Sequence, residues 1–209
     1  MSLPEIRIKN AWLLRDHASE HLNELWGDGT PLRTHEEYET IVATYQKAWW
    51  PYEQKILQGM CDTFGLTFRQ AIIDVYIAPW FSAFSDPMVI GVTNKPDRFV
   101  EILTHELLHR LLTDNVQTAY DTEYDVYWRE LFGKELGWNV LLHIPVHAGL
   151  QAVFDDVLHE PKRTERDQQE SKEWPDYNAA WEYVEKHGYK EIVQQLKDSY
   201  KNLAIKEKQ

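Results

Sequence analysis

Residues 96–112, PDRFVEILTHELLHRLL, decide how this chain is read. Pro96 suits the first turn of a helix, and Asp97 stands near the positive end of that helix's dipole. Ile102, Leu103, Leu107, Leu108, Leu111 and Leu112 leave little of the circumference polar, so the helix is expected to be buried. Inside it lies His105-Glu106-Leu107-Leu108-His109, an H-E-x-x-H pattern. Histidines four residues apart project from one helical face about one turn apart, so both imidazoles can reach a single Zn²⁺ with bonds of ~2.0–2.1 Å. Glu106 lies to one side of that pair, where its carboxylate can take a proton from a zinc-activated water as a peptide bond is attacked. Burying such a polar triple without a metal or hydrogen bonds would cost several kcal/mol.

Working outward, Glu5 to Lys9 alternates polar and apolar residues as a short strand does, and Asp16 to Trp26 reads as a helix stopped by Gly27 and Gly29. Thr34 and Glu37 have capping-box spacing and open a long helical pattern towards Gly59, interrupted at Pro51. Residues 71–77 (AIIDVYI) and 88–93 (MVIGVT) read as strands that end in turn chemistry at Ala78-Pro79 and Asn94-Lys95-Pro96. After the motif, helical patterns cover about Tyr120 to Leu136 and about Val140 to Leu158, with Pro145 as a kink or a start. Residues 159–176, charged and almost without aliphatics, are expected to be a solvated loop, and 177–205 returns to helical periodicity. The expected organisation is a metal-binding domain over 1–160, with its N-terminal helical part, and a charged loop and C-terminal helices over 161–209 packing on the same domain.

The 209 residues are 43% apolar and 13% aromatic, enough for a packed core. Lys and Arg number 22 against 34 Asp and Glu, a net charge of −12, which argues against nucleic-acid or anionic-membrane binding. The uncharged run Leu136 to Phe154 carries Asn139, His143, Pro145, His147 and Gln151, too polar for a membrane span. A single cysteine, Cys61, fits a buried apolar role, and with no secretory signal in the first twenty residues the expected location is cytoplasmic. Trp49, Trp50, Trp80, Phe81 and Trp128 are expected in the core or as cleft walls. His17, His21, His35, His159 and His187 sit among charged residues and are expected to be solvated.

At HELLH, and over about residues 70–160, the chain resembles the zincin metallopeptidases. The resemblance implies a zinc cofactor, His105 and His109 as ligands, and Glu106 as general base. It also implies that a strand, here the counterpart of Met88 to Thr93, borders the cleft and pairs with an extended substrate. The metzincin branch is excluded, because Leu112 and Asn115 stand where its Gly and third His belong. Arg110 stands where many zincins have an uncharged residue.

The third ligand must come from downstream. The gluzincin pattern would supply a glutamate, and Glu123 and Glu130 are available without a close match to the usual signature. His147 is preferred, because it starts or extends a helix whose apolar neighbours pack inward and because imidazole is a natural zinc ligand. His143 and the pair Asp155/Asp156 are the remaining alternatives. Asp155 or Asp156 could also accept the second N–H of a ligating imidazole. Tyr120, Tyr124, Tyr127 and His143 are candidates to stabilise a developing oxyanion.

The expectation is therefore an α+β fold, mainly helical and zincin-like, with a small β-sheet and a buried HExxH helix. Its expected activity is zinc-dependent hydrolysis of a peptide or protein substrate. Two alternatives accompany it: a zincin-like binding or regulatory module with weak catalysis, and a metal-free structural protein.

Overall fold

The structure, a computed structural model, describes residues 3–12, 33–78, 82–93, 95–116 and 124–206. The expected helix at 16–26, the turn residues Pro79 and Asn94, Trp80, Phe81, His17, His21, Tyr120 and Glu123 lie outside the described residues. Among the described residues the fold is α+β, mainly helical, with one four-stranded mixed sheet. Contacts divide the chain into two compact units, one of residues 2–54 and 70–106, the other containing 55–69 and 107–209. The grouping thus joins 161–209 to segments on both sides of the motif.

In the first unit, strands β1 (Glu5–Asn10), β2 (Ile72–Ala78), β3 (Phe84–Ser85) and β4 (Met88–Gly91) make a sheet of order β1-β2-β4-β3. β2 runs parallel to both β1 and β4, and β3 is antiparallel to β4. Ile73, Val75 and Ile77 alternate with less buried neighbours, so the β-branched run that marked this strand puts one face into the core. β4, the strand that the resemblance sets beside the cleft, lies between β2 and the two-residue β3, which pairs Phe84 with Val89 and Ser85 with Met88.

Helix α1 (His35–Trp49) begins at the capping box read in the sequence, where Glu37 N–H donates to Thr34 Oγ1 and Thr34 N–H to Glu37 Oε2. Its buried stripe of Tyr38, Val42, Tyr45 and Trp49 follows helical periodicity. Tyr45 stacks on Phe99 at 4.2 Å between ring centroids, while its hydroxyl donates to Thr93 O and accepts from Thr93 N–H. The long pattern breaks at Pro51, as expected, and resumes as α2 (Glu53–Phe64).

Helix α3 (Pro96–Asp114) carries the motif, and the division between the units falls inside it, between Glu106 and Leu107. Phe99, Val100 and Leu103 are buried in its first half, and Leu107, Leu108, Leu111 and Leu112 in its second. Asn115 Nδ2 donates to Leu111 O, and Tyr200 Oη to Leu112 O, satisfying carbonyls at the helix's open end.

The second unit is helical: α4 (Tyr124–Phe132), α5 (Trp138–Gln151), a π-helical continuation (Ala152–Leu158), α6 (Pro161–Ser171), α7 (Pro175–His187) and α8 (Tyr189–Lys206). Pro145 lies within α5 rather than starting it. At Gly149 of that helix a Cβ would come within 2.8 Å of Leu108 Cδ2 and 3.0 Å of the Phe64 ring, so the missing side chain permits the close approach of α5 to α3.

The expectation of a solvated loop over 159–176 is overturned, since α6 occupies most of it. The face it buries is polar: Arg163, Thr164, Asp167 and Ser171. Thr164 Oγ1 donates to Asp155 Oδ1 at 2.6 Å, and Asp167 accepts from Trp181 Nε1–H at 3.1 Å and from Ser171 Oγ at 3.4 Å. A helix whose inward face is made of hydrogen-bonding side chains has no apolar stripe for a hydropathy reading to find. No helix among the described residues is long and apolar enough to cross a membrane.

Candidate metal centre

Helix α3 presents His105 and His109 one turn apart, and α5 brings His143 to them. The ligand nitrogens of these three buried histidines all lie within 4.8 Å of one another, close enough to hold one metal ion. The His109 and His143 rings meet edge to face with centroids 5.0 Å apart. Three imidazoles are a donor set that suits a borderline divalent cation such as zinc.

The preferred third ligand, His147, is outside this group. It is fully buried one turn further along α5, stacked on Trp181 with centroids 4.5 Å apart and planes 13° from parallel. The alternative His143 is the residue that lies with His105 and His109. Residues 143 and 147 share a face of one helix, so sequence spacing leaves them equivalent. Which one is level with the motif depends on how α5 crosses α3. Glu130 is exposed on α4.

Burial sets the protonation of the site. His109 is held well below the usual imidazole range by desolvation and then by His143. His143 is lowered by burial, an effect opposed by its bond to Asn139 O and by Asp176. Both are therefore neutral near pH 7, the form that ligates a metal. Desolvation pushes the buried Glu106 carboxyl up to about 8. A cation held by the adjacent histidines would favour its carboxylate form.

The other expected groups turn elsewhere. Asp155 accepts from Thr164 and Gln151, and Asp156 from the Tyr189 hydroxyl. His143 Nδ1 lies 2.6 Å from a backbone carbonyl, Asn139 O. Tyr127 donates to Ser199 Oγ at 3.0 Å. Arg110 forms an ion pair with Asp114, its i+4 neighbour, at 3.5 Å. His35, His159 and His187 are exposed, and Cys61, Trp49 and Trp128 are buried, as read from the sequence, whereas Trp50 is exposed. Tyr177 and Trp181, which pack on His143 and His147, carried no motif that would single them out. Their helical spacing, i and i+4, matches that of the two histidines.

No protein-family model, curated protein or solved structure matches the chain.

Proposed function

We propose that the protein is a zinc-dependent hydrolase of peptide bonds, with His105, His109 and His143 as metal ligands and Glu106 as general base. The observation that carries this reading is the buried three-histidine group built on an H-E-x-x-H helix. When bound there, zinc supplies a Lewis acid for the substrate carbonyl and lowers the pKa of water towards neutrality. The three imidazoles hold the ion without adding negative charge. Glu106, next in sequence to a ligand and buried, accepts the proton of the attacking water and passes it to the leaving amine. The acidic balance and the single cysteine support a polypeptide substrate and a reducing, cytoplasmic setting over a nucleic-acid or membrane partner.

The test compares zinc-loaded wild type and Glu106→Gln on a quenched fluorescent library of unstructured peptides. Glu106→Gln keeps one zinc per chain and loses hydrolysis by ~10²–10⁴, because the amide cannot accept the proton. Equal rates in the two proteins would refute the mechanism. A wild type that holds zinc and cleaves nothing would instead be a binding module.

A further inference from the structure

A metal ligand contributed by a second helix must be held in one rotamer, or the ion has to pay for ordering it. The surroundings of His143 supply two restraints. Its Nδ1 faces Asn139 O at 2.6 Å, so with the proton on Nδ1 the nitrogen left with a lone pair is Nε2. Its ring packs against Tyr177 of α7 with centroids 4.0 Å apart and planes 37° from parallel. Asn139 is itself tethered, because its Nδ2 donates to Asp176 Oδ2 at 3.0 Å. One turn further on, Trp181 stacks on His147 and donates its indole N–H to the buried Asp167. Two aromatic rings at i and i+4 of α7 thus face two imidazoles at i and i+4 of α5.

We propose that the first turn of α7, Asp176 and Tyr177, is the positioning element of the metal centre, fixing the His143 imidazole in the rotamer that lets it bind with His105 and His109. This rests on the metal-centre reading above. Tyr177 acts through its ring, as a wall against His143. Asp176 acts through Asn139, holding the peptide whose carbonyl receives the imidazole N–H. Neither residue is a ligand.

The experiment measures zinc affinity by competition with a chromophoric chelator, the visible spectrum of the Co²⁺-loaded protein, and the melting temperature of the metal-free protein. Outer partners of metal ligands are typically worth 10–100-fold in affinity, so Tyr177→Leu and Asp176→Ala should each weaken zinc by about tenfold or more, with Tyr177→Phe and Asp176→Asn within about twofold of wild type. The Co²⁺ bands of Tyr177→Leu should shift, while those of Tyr177→Phe match wild type. Should Tyr177→Leu fail to fold, Asp176→Ala still decides, because Asp176 is exposed. Variants that melt lower yet bind zinc and Co²⁺ as wild type does would reduce the turn to ordinary packing and overturn the proposal. A Tyr177→Phe as weak as Tyr177→Leu would overturn it too, by assigning the effect to the hydroxyl. Wild type that holds no metal would sink the metal centre itself, an outcome distinct from wild type and variants binding alike.

Discussion

His143 and His147 stand one helical turn apart on α5, and that turn separates a histidine grouped with the motif from one packed on an indole. His143 shares its nitrogens' neighbourhood with His105 and His109, whereas His147 gives its ring face to Trp181. The two residues should therefore respond oppositely to truncation. His143→Ala removes one of three donors and should empty the site, as measured by elemental analysis after gel filtration. His147→Ala should retain about one zinc per chain while losing stability, at a cost of about 2–4 kcal/mol for a large buried side chain. Retention of zinc by His143→Ala with loss in His147→Ala would restore the assignment that sequence spacing favoured.

Elements were legible where hydrophobic periodicity and capping chemistry agreed. Thr34 with Glu37 marked the start of α1, and the apolar circumference of residues 102–112 marked α3 as buried, because both signals are local and short. The two-residue β3 has no period to detect, and its pairing with β4 is a tertiary fact. The site was legible to the same depth: His105, Glu106 and His109 lie on one helix, while the choice of His143 depends on a crossing geometry that Gly149 helps to set. α6 was missed because its inward face is polar. Asp167 binds that face to α7 through the Trp181 indole. Asp167→Ala would leave this buried N–H without its acceptor, which costs about 1–3 kcal/mol. Urea titration should show that loss for Asp167→Ala and a change near zero for Glu165→Ala, an exposed position on the same helix. Equal midpoints for the two variants would show that the network does not hold α6 in place.

For the molecule as a whole, the three grouped histidines come from helices separated in sequence by the stretch between 109 and 143, so unfolding would scatter the donors of any metal held there. A metal that binds the folded chain alone stabilises it by RT ln(1 + [metal]/Kd), about 4 kcal/mol at a thousandfold excess over Kd. In a chain of 150–250 residues each kcal/mol moves the melting temperature by about 2–4 °C, so saturating zinc should raise it by roughly 8–16 °C over chelator-treated protein. The size of the shift should grow with the logarithm of free zinc, which separates linkage from a non-specific salt effect on a chain of net charge −12. His143→Ala supplies the control: with its third donor gone, its melting temperature should not respond to zinc, whereas His147→Ala, though less stable, should show most of the wild-type shift. Calorimetric scans of the three proteins with and without zinc measure this directly. A wild-type melting temperature indifferent to zinc would mean that the three histidines stand together without taking up the ion.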